Sequence, residues 1–196
     1  MQKILLLAGD FTEDYETMVP FQALSMLGYQ VDAVCPGKKA GEFIKTAIHD
    51  FEGDQTYTEK PGHLFKLTKT FDEVDFDEFD MVVLPGGMPG TLNLKNHDGV
   101  RYVVKQYAKE GRYVGAICAA PTILKSLGVL EGRRATCYPG VEDEMEDVVL
   151  TETAVVVDEN IITSQGVGTA IDFGLKLIEI LDGEEKAKEI ADSIVF

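Results

Sequence analysis

The segment GAICAAP, residues 115–121, contains the residue whose type and position are most suited to chemistry, Cys118. This cysteine follows the apolar run 113–117 and precedes a predicted helix that starts with small residues. A nucleophile at a sharp strand-to-helix turn stands clear of the sheet, and small neighbours allow a substrate and backbone N–H groups to approach it. The partial positive charge of the helix N-terminus favours the thiolate, which is the reactive form. The pattern predicts a nucleophile; the alternative is a buried, unreactive cysteine that ends a core strand.

Glu16 is the candidate for proton transfer beside this cysteine. It lies at the start of a predicted helix, within the acidic stretch DFTEDYET at residues 10–17. The other glutamate and the second aspartate of this stretch, Glu13 and Asp14, are explained by the favourable interaction of acids with a helix N-terminus. Glu16 is expected on the side that faces the sheet edge, where burial and a nearby thiolate would raise the pKa of its carboxyl. A protonated Glu16 would donate a hydrogen bond to sulfur and move protons on a bound carbonyl compound.

Gly86 and Gly87 follow another apolar run, 81–84, and would let the backbone approach a ligand closely. Their N–H groups predict a site for an oxyanion, and the alternative is a tight turn with no further role. The sequence has neither the dinucleotide fingerprint GxGxxG nor the phosphate loop GxxxxGK, so we expect no nucleotide cofactor. We also expect no metal, because the three cysteines include no CxxC pair.

The histidines are all distant from Cys118 in sequence. They are His49, His63 and His97, and each is expected to be a surface or structural residue rather than a base for the thiol. The first two belong to the stretch 43–67, where Thr, Tyr and Phe recur between glycines and a proline and predict short strands or a hairpin. These two histidines can approach the site if that hairpin folds over it.

The composition limits the partners and the compartment. A formal net charge of −16 argues against nucleic acid and anionic membranes, since both would repel the protein. The apolar run near the N-terminus, 4–8, is too short for the core of a signal peptide, and no run approaches membrane-spanning length. The cysteines, Cys35, Cys118 and Cys137, form no even framework, so a reducing, cytoplasmic location is expected.

The elements that must position these residues follow from the apolar pattern. Buried strands are predicted at 3–8, 30–35, 81–84 and 113–117, and a hairpin is predicted from 154–157 and 161–163. Helices are predicted at 15–27, 99–110, 121–127 and 167–181, with a short terminal helix from residue 183. This alternation predicts one α/β domain, 1–196, with a mostly parallel sheet covered by helices on both faces. Ligands of such sheets bind at the carboxyl ends of the strands, where the loops 9–16, 85–90 and 118–121 should meet.

Four segments in this order resemble the ThiJ/PfpI superfamily. They are DYETMVP with Glu16, VVLPGGMPG with Gly86 and Gly87, AICAAPT with Cys118, and ITSQGVGTAIDFGLKLIEIL near the C-terminus. The resemblance covers nearly the whole chain and implies a flavodoxin-like sandwich, usually a homodimer, with the cysteine on a strained nucleophile elbow beside a protonated glutamate. The activities it implies are glutathione-independent glyoxalase, protein deglycation, oxidative-stress sensing through cysteine sulfinate and, in one branch, peptidase.

Within that superfamily the sequence is a mosaic. Residues 128–145 are similar to the PfpI peptidase-like branch, and residues 46–65 resemble an insert of plant glyoxalase-like members. Both groups usually carry a histidine directly after the cysteine, where this chain has Ala119, and the deglycase branch has a histidine where this chain has Tyr138. The acidic residue that the peptidase branch has after its Gly-Gly turn is also missing.

The first functional hypothesis is an enzyme that acts on small 2-oxoaldehydes without a cofactor. Cys118 is its nucleophile, Glu16 is its acid–base group, and N–H groups of Gly87 and Ala119 hold the oxyanion, with Tyr138 and Gly86 as auxiliary residues. The alternative is an oxidative-stress sensor or protective protein that works through oxidation of Cys118. A PfpI-type cysteine peptidase is the third hypothesis, and the missing histidine and acidic residue weaken it most.

Overall fold

The structure, a computed structural model, describes residues 1–49 and 60–196. Its strands are β1 (Lys3–Leu7), β2 (Gln30–Val34), β3 (Phe43–Ile48), β4 (Lys60–Lys66), β5 (Met81–Leu84), β6 (Tyr113–Ile117), β7 (Arg134–Ala135), β8 (Val149–Leu150), β9 (Val155–Asp158) and β10 (Ile161–Ser164). Its helices are α1 (Asp14–Met26), α2 (Gly90–Lys95), α3 (Asp98–Glu110), α4 (Pro121–Ser126), α5 (Ala170–Asp182) and α6 (Glu184–Ser193).

The central sheet is mostly parallel, as the alternation of strands and helices predicts. Its strand order is β2-β1-β5-β6-β10-β9. Neighbouring strands pair in parallel from β2 to β10, and β9 forms an antiparallel edge in a hairpin with β10. Helix α5 packs against both α1 and α6, and α2, α3 and α4 form a second group. The predicted flavodoxin-like α/β fold is therefore confirmed.

The inner strands are uninterrupted apolar runs because helices cover both faces of the sheet. Every residue of 4–7, 81–84 and 114–117 is buried. Polar groups are therefore concentrated where these strands end, and the carboxyl ends of β1, β5 and β6 share one edge of the sheet. The loops after these strands contact each other there: the N–H of Glu13 donates to the carbonyl of Gly86 at 2.9 Å.

One predicted helix starts later than expected because a side chain competes with the backbone for hydrogen bonds. Helix α5 begins at Ala170 rather than at residue 167, because residues 167–169 form a 3₁₀ turn. The Thr169 hydroxyl bonds to the backbone N–H and carbonyl of Gly166, which gives this segment an alternative to α-helical hydrogen bonds. The sequence pattern did not predict α2, β7 or β8, which have at most six residues each.

The segment 43–67 contains the antiparallel pair β3–β4, where short strands or a hairpin were predicted. Strand β3 also bonds to the loop after β1: the Phe11 N–H donates to the Lys45 carbonyl at 2.7 Å, and the Ala47 N–H donates to the Thr12 carbonyl at 2.9 Å. These bonds bring the β3–β4 hairpin to the same sheet edge as the other loops. The rest of the predicted hairpin, 50–59, lies outside the described residues.

The longer surface helices bury one face and expose the other. Helix α3 buries Val100, Val103, Val104 and Tyr107 and ends at Gly111, which has a φ of 75°. Helix α5 buries an apolar face that includes Phe173 and Leu177. In the described parts of the chain, no helix has the length and apolar character needed to cross a membrane.

Candidate active site

Cys118 lies at a strained turn directly after β6. Its φ is 64°, in the left-handed region that residues other than glycine seldom adopt. Its N–H donates to the Ser164 carbonyl at 2.9 Å, and its carbonyl accepts from the Tyr138 N–H at 2.8 Å. Strain of this kind persists only where surrounding contacts hold it, and it is common at functional sites. The sharp turn that the sequence predicts at Cys118 is present.

Glu16 lies in the first turn of α1 and is fully buried, on the side of the helix that faces the sheet edge. Its Oε2 accepts a hydrogen bond from the Gly86 N–H at 2.9 Å, and its carboxyl interacts with the Cys118 thiol. Burial, with the nearby Glu13 carboxyl, raises the pKa of Glu16 to about 8, although the bonds from Cys118 and Gly86 oppose this shift. Glu16 is therefore protonated at neutral pH.

Glu13 is a second buried carboxyl, which the sequence reasoning treated as an ordinary helix-start acid. It caps α1: its Oε2 accepts from the Glu16 N–H at 2.7 Å, and only 4% of the residue is exposed. Burial raises the pKa of Glu13 to about 7. The signal in the sequence was the spacing of Glu13 and Glu16, at which the side chain of an N-cap residue accepts from the N–H three residues later.

The thiol of Cys118 is almost completely buried, with 3% of the residue exposed. Burial, followed by the charge and hydrogen bond of Glu16, raises the pKa of Cys118 well above its usual value. The backbone N–H groups of Gly87 and Ala119 donate toward the sulfur and act in the opposite direction. Backbone donors at the helix start favour the thiolate, as expected, but desolvation of the charged form outweighs them.

Gly86 has a different role from the one the sequence suggested. Its N–H is bonded to Glu16, so it is not directed at an oxyanion. A Cβ atom at this position would lie 2.6 Å from the Cβ of Cys118 and 2.7 Å from Oε2 of Glu16. Only glycine therefore allows the loop after β5 to lie between the nucleophile and the acid. Gly87 and Ala119 are the pair whose N–H groups reach the sulfur.

A small pocket of about 240 Å³ opens beside the thiol. Its lining residues are Glu16, His49, Cys118, Tyr138, Pro139, Gln165, Gly166, Val167, Gly168 and Thr169. The rings of His49 and Tyr138 are parallel, with their centroids 6.4 Å apart. Burial lowers the pKa of His49 below its usual value, so its imidazole is neutral at pH 7. The hairpin thus brings one of its two histidines to the site.

The other histidines lie elsewhere. The ring of His63 is 73% exposed and bonds to Asp14 at 3.0 Å, on the outer side of the hairpin. His97 caps α3 by accepting a hydrogen bond from the Val100 N–H. No group of three or more His, Cys, Asp or Glu side chains within 1–49 and 60–196 is arranged to hold a metal ion.

Gly166 forms the part of the pocket wall that lies over the thiol. A Cβ atom at Gly166 would lie 3.9 Å from Sγ of Cys118, 3.7 Å from Oε1 of Glu16 and 3.5 Å from the Tyr138 ring. The segment that follows β10 therefore lies against Cys118, Glu16 and Tyr138 and closes this part of the site. The sequence reasoning did not assign a site role to this residue; the signal was the pair of glycines in the motif SQGVGT, residues 164–169.

Comparison with protein families matches this arrangement to a known group. The model of the DJ-1/PfpI family matches residues 2–180. The chain belongs to the DJ-1/PfpI family. It is 53% identical over 142 residues to the Arabidopsis thaliana protein DJ-1 homolog D. The match covers 72% of this chain but only 36% of that relative. A deglycase from Pyrococcus abyssi is 33% identical over 181 residues, covering 91% of this chain and 99% of that protein. The chain spans about two fifths or less of the plant relatives it matches.

Solved structures of the family have the same fold. Oxidized DJ-1 from Toxoplasma gondii superposes with a TM-score of 0.87 at 28% identity, covering 100% of this chain and 99% of that one. DJ-1beta from Drosophila melanogaster superposes with a TM-score of 0.86 at 30% identity, covering 99% and 97%.

Proposed function

We propose that this protein converts small 2-oxoaldehydes, such as methylglyoxal, into 2-hydroxy acids without glutathione, a metal or a cofactor. The observation that carries this proposal is the pairing of the Cys118 thiol with the buried, protonated carboxyl of Glu16 beside a small pocket. A thiol supplies the nucleophile for an aldehyde, and a carboxyl with a pKa of about 8 can both give and take a proton near neutral pH. The deglycase name of the Pyrococcus relative supports carbonyl chemistry of this kind.

The first step joins the sulfur of Cys118 to the aldehyde carbon, C1. An S–C bond forms, the C=O bond becomes C–O–H, and the thiol proton moves by way of a base to the new hydroxyl. The N–H groups of Gly87 and Ala119, which already donate toward the sulfur, are the donors placed to stabilise negative charge on the C1 oxygen. The product of this step is a hemithioacetal.

The second step moves hydrogen between the two substrate carbons through Glu16. The protonated carboxyl gives its proton to the C2 oxygen and takes the proton of C1, which leaves an enediol. It then protonates C2 and recovers the proton of the C1 hydroxyl, so that C1 is oxidised, C2 is reduced and Glu16 is again protonated. Water hydrolyses the resulting thioester: its hydroxyl joins C1, the S–C bond breaks, and the thiol is restored.

The decisive experiment supplies methylglyoxal to the purified protein and measures lactate. We expect turnover in the wild-type protein and in Cys35→Ser, whose altered cysteine is also buried but lies at the end of β2, away from the pocket. Cys118→Ser should form no lactate. The proposal is wrong if the wild-type protein forms none, or if Cys118→Ser retains the activity.

A second candidate function is oxidative-stress sensing through Cys118. Two backbone N–H groups and one protonated carboxyl surround the sulfur, and the same donors suit the oxygens of a cysteine sulfinate. Mild peroxide followed by peptide mass spectrometry tests this function. We expect sulfinate at Cys118 ahead of Cys35 and Cys137, and oxidation of either other cysteine first would contradict it.

A further inference from the structure

The glycine at residue 166, in the pocket wall over the thiol, is not explained by the needs of its own backbone. Its φ and ψ, 161° and −159°, are extended, a conformation that other residues also adopt. A Cβ atom at Gly166 would have its nearest neighbours at 3.5, 3.7 and 3.9 Å, which is ordinary van der Waals contact. Gly86 differs, because a Cβ atom there would lie 2.6 Å from that of Cys118, and Gly87 differs because its φ is 87°. Neither chain conformation nor packing therefore requires glycine at residue 166.

The missing side chain of Gly166 leaves a space where three groups of the site meet. The three neighbours of its Cβ position are Cδ2 of Tyr138, Oε1 of Glu16 and Sγ of Cys118, in order of increasing distance. A methyl group at that point would touch the carboxyl oxygen and the sulfur together, so little room would remain between them for part of a bound molecule. The space in front of Gly166 is therefore left to an occupant of the pocket.

The oxygen of Glu16 beside this space points to such an occupant. The other oxygen, Oε2, accepts from the Gly86 N–H at 2.9 Å, so the proton of the carboxyl belongs on Oε1. Oε1 is buried, and within residues 1–49 and 60–196 no group other than the Cys118 thiol reaches it with a hydrogen bond. A buried polar atom with so few partners is costly, and a ligand atom that bonds to it removes the cost.

The wall that Gly166 forms is bonded in place by Thr169. The Thr169 hydroxyl accepts from the Gly166 N–H at 3.1 Å, lies 3.0 Å from the Gly166 carbonyl as a donor, and is 2.7 Å from the Ser164 hydroxyl. The Ser164 hydroxyl donates to the carbonyl of Ala154 at 2.8 Å, directly before β9. These bonds tie the wall to the edge of the central sheet, so a larger occupant meets a surface that does not recede freely.

We propose that Gly166 is a specificity-determining residue, whose missing side chain makes room for a substituent on the carbon next to the one that bonds to Cys118. For turnover, this inference rests on the proposed function. There, C1 of the 2-oxoaldehyde is bonded to the sulfur and the oxygen of C2 takes the proton of Glu16, so C2 lies close to both atoms that Gly166 faces. The site therefore accepts 2-ketoaldehydes such as methylglyoxal as well as glyoxal, whose C2 carries only hydrogen.

The first test compares these two substrates in Gly166→Ala. The added methyl group takes the place of the C2 substituent, so kcat/KM for lactate formation from methylglyoxal should fall about tenfold more than that for glycolate formation from glyoxal, the lower range for one carbon in a closed site. The matched control is Gly168→Ala, in the same turn and the same pocket, where a Cβ atom would have nothing within 4 Å. It should keep the wild-type ratio between the two substrates.

The second test needs no turnover. Methyl vinyl ketone and methyl isopropenyl ketone both alkylate thiols at the terminal alkene carbon, and the thiol proton ends on the neighbouring carbon, which carries hydrogen in the first reagent and a methyl group in the second. Peptide mass spectrometry gives the rate of each reaction at Cys118. Gly166→Ala should slow the reaction with methyl isopropenyl ketone about tenfold more than that with methyl vinyl ketone, and Gly168→Ala should leave this ratio at its wild-type value.

The outcomes separate this inference from the proposed function. An unchanged ratio in folded Gly166→Ala, for the two enones or for two substrates that turn over, would overturn the role of Gly166, as would an equal change in Gly168→Ala. If Gly166→Ala does not fold, as judged by circular dichroism, Gly166→Ser takes its place. Failure of both to fold would also overturn the role, since the fold itself would then require glycine. An absence of both hydroxy acids with a shifted enone ratio would instead refute the proposed function alone.

Discussion

The two ends of the central sheet carry clefts of opposite character. The larger one, about 470 Å³, lies at the amino ends of β1, β5 and β6 and includes Asp77, Asp80 and Arg112. Its charged groups all have partners: Asp80 accepts from the backbone N–H of Lys3 at 2.8 Å, and Arg112 forms an ion pair with Asp77 at 3.3 Å. The smaller pocket at the carboxyl ends has a cysteine in left-handed conformation and a buried carboxyl with a raised pKa.

The candidate active site therefore lies at the smaller of these two clefts. At the amino ends every charged group named above has a hydrogen-bond partner, which contributes to stability. At the carboxyl ends the fold keeps a strained cysteine and two carboxyls with raised pKa values out of water, which lowers stability and is typical of functional sites. Variants at the amino ends of the strands should therefore change stability, and variants at the carboxyl ends should change the reactions of the site.

The largest expected effect is the pH dependence of stability that Glu13 and Glu16 produce. Their pKa values rise from 4.5 to about 7 and about 8 on folding, so the folded state favours the protonated forms. The free energy of unfolding should therefore fall as pH rises from about 4.5 to about 8, by an amount on the order of a few kcal/mol. Urea unfolding at pH 5 and pH 9 measures this fall.

General charge repulsion acts in the same direction in a protein with a net charge of −16, so the fall needs a matched control. Glu16→Gln should lose clearly less stability between the two pH values than the wild-type protein does. Glu185→Gln removes the same charge from an exposed position of α6 and should behave like wild type. Parallel pH dependence in all three proteins would show that Glu16 is not responsible for the fall.

The next effect concerns turnover and is specific to the carboxyl end of the sheet. Glu16→Gln should lower kcat for methylglyoxal by about a hundredfold and change KM little, because only proton transfer is lost. In the wild-type protein, turnover should decrease above about pH 8, where Glu16 loses its proton beside Glu13, Cys118 and His49. A variant that folds and keeps kcat within about twofold of wild type would show that Glu16 is not the acid–base group.

A comparable change at the amino end should affect stability alone. The guanidinium of Arg112 donates to the carbonyls of Phe76 and Phe79 and lies 3.7 Å over the ring of Tyr107. Arg112→Ala should lower the free energy of unfolding by about 2 kcal/mol, since it leaves these groups without their charged donor. Urea unfolding measures the loss, and iodoacetamide alkylation of Cys118 should proceed at the wild-type rate. Slower alkylation would mean that the two ends are coupled.

The smallest expected effect is that of Tyr138→His. This change keeps an aromatic ring on His49 and adds a second imidazole to the pocket, so turnover of methylglyoxal at pH 7 should rise about twofold to threefold. Stability should stay within about 0.5 kcal/mol of wild type, because the residue is only half-buried. Equal or lower turnover in a folded variant would assign the position a structural role and favour the sensing function.

The sequence by itself determined which segments end at the functional edge. Uninterrupted apolar runs predict strands buried on both faces, and the carboxyl ends of parallel strands share one edge, so Glu16, Gly86 and Cys118 had to meet. The motif around Cys118 predicted the sharp turn because small residues after a strand permit it. These conclusions need only local pattern and the rules of parallel sheets.

Only the tertiary structure decided how the atoms at that edge are used. Burial, which depends on the packing of every neighbouring element, raises the pKa of Glu13 as well as that of Glu16, and it raises the pKa of the Cys118 thiol. The N–H of Gly86 is bonded to Glu16 because α1 and the loop after β5 approach within hydrogen-bond distance. His49 reaches the pocket through bonds such as that between Phe11 and Lys45, which are distant in sequence, and no local pattern encodes such a pairing.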